Sequence, residues 1–256
     1  MTELTGLIQS AAELLRRGRA GVAFTGAGIS TPSGIPDFRS PSTGVWANQD
    51  LLEVASLSTF RYRPERFYEW VRPLATLIYQ ARPNAAHQAL AALEAAGQLK
   101  AVITQNIDEL HRRAGTQRVL EIHGSLSTAT CGQCHRTVPA RACLQRFIED
   151  GAIPRCEQCG GVLKPDVILM EEQLPVAVLH QARQAVRQCD VMLVAGSSLE
   201  VLPAASLPME AVRNGARLII VNQADTYLDE RADVLIRADV ADVLPQIAAA
   251  IGVSLA

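Results

Sequence analysis

The chain has 256 residues, of which 48% are hydrophobic and 20% charged, and its formal net charge is −2. That balance describes a globular protein with ample core, one large domain or a large one with a smaller insert, and it provides no global attraction to nucleic acid or anionic membrane. Six cysteines are too few for a disulfide framework at this length, so a reducing cytoplasm is the expected compartment.

Leu4, Ile8, Ala11, Leu14 and Leu15 recur at helical spacing, so the chain opens with an amphipathic helix that ends near Gly18. Glu3 and Glu13 interrupt that stretch, and neither a signal peptide nor a transmembrane span is expected. Val22, Ala23 and Phe24 form a short buried strand. The turn Thr25-Gly26-Ala27-Gly28-Ile29-Ser30 follows it, continuing through Gly34-Ile35-Pro36-Asp37-Phe38-Arg39. Two glycines after a strand let the backbone turn sharply and bring its N–H groups close to a phosphate. The dinucleotide fingerprint would place a third glycine where Thr31 stands, and Pro32, Gly34 and Pro36 forbid the long helix it wants. The hydride-transfer motif is thus half satisfied.

From 44 to 60 the pattern is irregular and loop-rich. A helix is predicted over 65–81, with Phe67, Trp70, Val71, Leu74 and Ile78 on one side and a kink or break at Pro73. Another helix spans 85–96 and stops at Gly97. Strand 101–104, a short helix over 108–114 and strand 119–122 come next, before a cysteine-rich stretch over 131–159. Strand 167–169 resumes the alternation, followed by helix 176–187, strand 191–195, a helix through Asn214, strands 218–221 and 234–236, and a last helix over 240–251. Short, continuously apolar strands separated by helices predict an α/β fold with a doubly wound, Rossmann-like parallel sheet. Two inserts complete the plan: a helical one over 45–83 and a cysteine module over 131–162, leaving 1–44, 84–130 and 163–256 to the sheet domain.

Cys131-Gly-Gln-Cys134 and Cys156-Glu-Gln-Cys159 are matched CxxC pairs, each able to clasp one edge of a tetrahedral zinc. A closed four-cysteine site leaves no open position, so the metal is structural; Cys143 and Cys189 fall outside the pattern and are expected to be packed thiols. Polar residues collect at strand ends, where open α/β sheets bind ligands. Thr104-Gln105-Asn106-Ile107-Asp108 follows one strand, His123-Gly124 the next, Gly196-Ser197-Ser198 a third, and Asn222 a fourth. An imidazole beside those groups is placed to act as a general base.

Taken in this order, these motifs resemble the sirtuin (Sir2) family of NAD-dependent protein deacylases over nearly the whole chain. The resemblance implies a large Rossmann-like domain, a small domain of zinc ribbon and helices, and a cleft that NAD and an acyl-lysine peptide enter from opposite sides. It implies NAD contacts from Gly26, Ala27, Gly28 and Thr31 in the turn, then from Asp37, Phe38 and Arg39. Further contacts would come from Gln105, Ile107, Asp108 and His123, and, across the cleft, from Gly196, Ser197, Ser198, Asn222, Gln223 and the backbone near Val240. Asn106 and Asp108 would position the nicotinamide and its ribose, His123 would be the base, and Ile168, Leu169, Met170 and Glu171 would meet the substrate. Structural zinc would be held by Cys131, Cys134, Cys156 and Cys159. NAD is then a consumed co-substrate, and the products are nicotinamide, O-acyl-ADP-ribose and a free lysine.

Two departures matter. The family commonly shows Phe-Gly-Glu where this chain has Met170-Glu171-Glu172, which predicts a softer acyl tunnel, broader acyl tolerance and a carboxylate favouring basic peptides. Subfamilies preferring acidic acyl groups carry Tyr-x-x-Arg in the helical insert; Tyr68 is followed three residues on by Val71, with Arg72 one further, so neutral acyl groups are expected, acetyl first. Two other functions fit parts of the sequence: an NAD hydrolase or mono-ADP-ribosyltransferase, and a nucleic-acid-binding zinc module. The spread of Arg136, Arg141 and Arg146 argues against the last.

Overall fold

A computed structural model describes residues 2–37 and 53–255. The chain begins with α1 (Thr2–Arg17), which carries Glu3 in its first turn and Arg16 and Arg17 in its last, matching the helix dipole. β1 (Gly21–Thr25) is buried along its whole length. Two short 3-10 turns follow, Ala27–Ile29 and Thr31–Ser33, because Pro32 and the left-handed Gly34 (φ +85°) prevent a regular helix. α2 (Leu57–Tyr62), capped by the Ser56 hydroxyl, begins within the last residues of the stretch over 44–60 that the sequence reads as irregular. α3 (Pro64–Gln80) continues through Pro73 instead of breaking there, since its buried stripe of Phe67, Tyr68, Ala75 and Ile78 anchors both halves.

α4 (Ala85–Ala95) is capped by Asn84, and β2 (Leu99–Thr104), α5 (Leu110–Arg113) and β3 (Val119–Glu121) follow. The cysteine-rich region contains β4 (Gly124–Cys131), β5 (Thr137–Pro139), α6 (Arg141–Asp150) and β6 (Leu163–Val167). α7 (Val176–Gln188), β7 (Val191–Ala195), α8 (Leu207–Arg213), β8 (Arg217–Val221), β9 (Val234–Ile236) and α9 (Val240–Ile251) complete the chain.

Six strands form one parallel sheet in the order β3-β2-β1-β7-β8-β9. That is the doubly wound order, with the crossover reversing between β1 and β7. Successive side chains alternate between faces. Ala23, Leu193 and Ile219 pack with α1, α4 and α9, whereas Phe24, Met192 and Ile220 pack with α7 and α8. Both faces are covered, and this is why the strands read as unbroken apolar runs.

A second, antiparallel sheet has the order β5-β4-β6. It packs with α3 and α6 in a separate core, where the Tyr68 and Phe147 rings meet edge to face with centroids 5.0 Å apart. The Tyr68 hydroxyl donates to the Leu163 carbonyl. Here the structure corrects the sequence reading. The strand expected over 167–169 does not join the parallel sheet; β6 ends at Val167 and pairs with β4. Its burial alternates, which is the mark of a sheet covered on one face, and the apolar Val167-Ile168-Leu169 run masked that period. Among the described residues no helix is long and apolar enough to cross a membrane.

Candidate active site

The point where the strand order reverses opens into a cavity of about 350 Å³. Its floor is made by the ends of β1 and β7, drawn together by glycines. Gly28 N–H donates to the Gly196 carbonyl at 2.9 Å, and a Cβ on Gly28 would lie 2.9 Å from that same oxygen. Gly196 itself has φ +61°, and a Cβ there would come within 2.3 Å of the Ile29 nitrogen. No side chain fits at this junction, so the backbone lines the cavity.

From the β1 side Ala27, Gly28, Thr31 and Asp37 reach the cavity, and from the β2 and β3 ends Gln105, Asn106 and His123. Gly196, Ser197 and Ser198 face them from β7, and Asn222, Gln223 and Val240 close the far end. All were expected from the sequence. Gly26 stands behind the wall, where a Cβ would collide with Ser197 at 2.9 Å. Ile107 and Asp108 also lie outside the lining, and Phe38 and Arg39 lie outside the described residues. The cavity further holds Glu200, Val201, Ala224, Ala238 and Asp239, which the sequence reading missed. Asp239 had a legible signal, an acidic N-cap directly before an apolar helical stretch.

The polar groups at the β2 end fix one another. His123 Nδ1 sits 3.0 Å from the Gln105 carbonyl oxygen. A carbonyl only accepts, so Nδ1 carries the proton and Nε2 keeps its lone pair. Burial lowers the pKa of this imidazole, while the Gln105 carbonyl partly restores it, so the neutral form is favoured. The Gln105 side chain accepts from Ser197 Oγ at 3.1 Å, and its own Nε2 is buried without a partner among the described residues. A buried donor of that kind needs an acceptor.

Behind the wall Ser30 Oγ is a junction. It donates to Asp108 Oδ2 at 2.6 Å and accepts from Asn106 Nδ2 at 3.0 Å. His87 Nδ1 accepts from Asn84 N–H at 3.4 Å, so its Nε2 faces Ser30 Oγ, 3.5 Å away, as an N–H. Asp108 also caps α5 through Leu110 N–H at 2.9 Å. Burial raises the Asp108 carboxyl above its usual range, an effect reduced by these hydrogen bonds. His87 is pulled down to about 4 by burial, and His111, whose ring centroid is 4.8 Å away, is held well below its ordinary value by burial and by His87. Both imidazoles are neutral at pH 7. Sequence inspection gives little warning of this network, because a serine and two histidines inside helices and turns look like ordinary core.

The four sulfurs of Cys131, Cys134, Cys156 and Cys159 lie within 4.8 Å of one another. Cys131 and Cys159 are 3.5 Å apart, and Cys134 and Cys156 are 3.7 Å apart. Tetrahedral Zn–S bonds of about 2.3 Å put sulfurs about 3.8 Å apart, so this set fits a closed, structural zinc site. Backbone N–H groups lower the Cys131 thiol to about 6 and also lower Cys156, while the neighbouring sulfurs push Cys159 up to about 12. Cys143 donates to the Ala140 carbonyl, and Cys189 is buried, as expected of packed thiols.

The run after β6 lies outside the cavity lining but is tied to it. Ile168 N–H donates to the His123 carbonyl at 2.8 Å. Two residues on, Met170 N–H donates to Ala55 and its carbonyl accepts from Leu57 N–H, both at 3.0 Å. Leu169 is buried, and Met170 is 40% exposed. Glu171 has φ +75°, a conformation suited to glycine. Its carboxylate accepts from Ser58 N–H at 3.1 Å and Ser58 Oγ at 3.2 Å, at the start of α2. The charge expected to favour basic peptides is therefore partly taken up by this cap.

The model of the Sir2 family matches residues 26–203. A protein of Archaeoglobus fulgidus called NAD-dependent protein deacylase 2 is 47% identical over 244 residues, 94% of each chain. An NAD-dependent protein deacetylase of Sulfolobus acidocaldarius is 44% identical over 236 residues, 92% of each chain. Among solved structures, a Sir2 enzyme with a deacetylated p53 peptide and 3′-O-acetyl ADP-ribose superposes with TM-score 0.89 at 37% identity, covering 96% of this chain and 99% of the other. A Sir2 enzyme bound to a myristoylated histone peptide gives TM-score 0.82 at 41% identity, covering 96% of both chains.

Proposed function

The chain belongs to the Sir2 family and is an NAD-dependent protein deacylase, and we propose that the cavity between β1 and β7 is where it binds NAD, with His123 as the general base. The dinucleotide fits the residues present: a glycine-walled cradle that a Cβ would fill, and the buried Gln105 Nε2, which has no acceptor among the described residues. When bound, NAD supplies an electrophilic ribose carbon and a leaving nicotinamide.

The chain's own residues do the rest. Asn106 faces the nicotinamide half of the cavity, held there by Ser30, while Asp108 secures the same junction from behind. His123 Nε2 accepts a proton from a ribose hydroxyl, and its anchored Nδ1–H keeps the ring in the basic tautomer. The observation that carries this assignment is that hydrogen bond to Gln105. The run 168–171 lies against the His123 backbone, suited to guide an acyl-lysine peptide toward the base. The parallel-sheet body would then hold the cofactor, and the helical and four-cysteine inserts would form the facing small domain. Acyl-lysine proteins are the partners we infer, with no direct role for nucleic acid, and reduced thiols suit a cytoplasmic setting.

The acyl group is inferred to be neutral. An apolar cavity of about 30 Å³ is walled partly by Val71, Leu74, Ile78, Ile107 and Val167, and Ile107 directly follows Asn106 in the sequence. Tyr68 is bound to the Leu163 carbonyl, and Arg72 donates to Ile148 and Glu149 carbonyls, so neither is placed to clamp an acidic acyl group. Acetyl comes first, and longer neutral chains follow from the apolar wall. The test compares kcat/KM for acetyl, butyryl and succinyl versions of one peptide. The reading expects the succinyl peptide to trail both neutral ones by about tenfold or more; a succinyl preference would overturn it.

A further inference from the structure

We propose that Asp239 makes this cavity selective for NAD over its 2′-phosphorylated form, an inference that rests on the NAD reading above. Orientation comes first. His123 and Asn106 occupy the β2–β3 end, so the nicotinamide ribose belongs there. The β8–β9 end, walled by Asn222, Gln223, Asp239 and Val240, is left for the adenosine and its 2′-hydroxyl.

Three features of that end oppose a phosphate. The N-terminus of α9 would be an anion site, since its N–H groups and dipole point outward. Asp239 occupies it: Oδ1 accepts from Ala241 N–H at 2.7 Å, and Oδ2 from Gln223 Nε2 at 3.4 Å. A carboxylate thus stands where a phosphate would otherwise be drawn. Arg237, two residues back, is the nearby cation, and it is already committed. Its guanidinium donates to the Ala224 carbonyl at 2.6 Å and to Asp225 at 2.8 Å, and it pairs with Asp229. Lastly, no lysine or arginine lines the cavity among the described residues, so nothing at this end offsets the Asp239 carboxylate there. A neutral hydroxyl is accepted beside these groups; a phosphate carrying about two negative charges is repelled.

The test measures NAD and NADP dissociation constants by calorimetry on the full chain, for wild type, Asp239→Asn and Asp239→Ser. Asparagine and serine are both good N-caps, so α9 keeps its start while the charge is lost. Wild type should bind NADP about 100-fold more weakly than NAD, and each variant should shrink that ratio about tenfold. Equal binding of the two dinucleotides by wild type, or an unchanged ratio in both variants, overturns the proposal. Wild type that binds neither dinucleotide would overturn the assignment of the cavity, and this inference with it.

Discussion

At the scale of single residues, the site holds imidazoles that burial keeps neutral, and the proposed base is one of them. His123→Ala should leave dinucleotide binding nearly unchanged and cut deacylation by about 10²–10⁴-fold; turnover within a few-fold of wild type would contradict its role. His123 has a lowered pKa, so the rate limb that depends on it should rise with pH below the usual histidine value of about 6.5. His87 makes a separate, thermodynamic prediction. Its folded-state pKa of about 4 lies below the unfolded value, so between those two pH values the unfolded chain binds more protons. Stability is therefore intact above about pH 6.5 and falls as pH drops toward 4, by up to about 3 kcal/mol from this group. Urea unfolding at pH 7 and pH 5 should show a smaller loss for His87→Gln than for wild type; equal losses would sink the assignment. Residues bearing obvious chemistry, Gln105, Asn106 and His123, were legible in the sequence. Ser30, His87 and His111 were not, because only three-dimensional proximity turns them into a network.

At the scale of elements, periodicity served the parallel sheet well and the second sheet poorly. β7, β9 and α9 begin and end where the sequence predicted, since strands covered on both faces leave continuous apolar runs. β4, β5 and α6 gave weaker signals, and β6 was assigned to the wrong sheet, because one-sided burial and cysteine spacing dilute the pattern. The matched CxxC pairs were plain, since four thiolates at that spacing have few other uses. Elemental analysis should find about one zinc per chain. Replacing both Cys131 and Cys156 should remove it; zinc retained at full stoichiometry would refute the ligand set. The run at 170–171 carries another prediction. A left-handed non-glycine residue costs about 1–2 kcal/mol, and two solvent-exposed hydrogen bonds to Ser58 offset roughly that amount. Glu171→Gly alone should therefore change stability by no more than about 1 kcal/mol. Met170→Phe combined with Glu171→Gly should stiffen the wall and shift kcat/KM toward acetyl over butyryl by about tenfold. An unchanged chain-length profile would show that the departure from Phe-Gly-Glu is silent.

At the scale of the whole molecule, the strand order brings residues distant in sequence to one sheet edge. Gly28 and Gly196 touch only because β1 and β7 are neighbours at the reversal point, and His123 reaches the same cavity from two strands away. The half-fitting glycine motif has its structural counterpart here: Pro32 and the left-handed Gly34 replace the fingerprint's long helix with two short 3-10 turns. The account's central claim is that the dinucleotide is a co-substrate that is cleaved, and product identity tests it most directly. Mass spectrometry of a reaction containing NAD and an acetyl-lysine peptide should show nicotinamide, deacetylated peptide and O-acetyl-ADP-ribose in equal amounts. Free ADP-ribose with the peptide still acetylated, or ADP-ribose attached to protein, would contradict it.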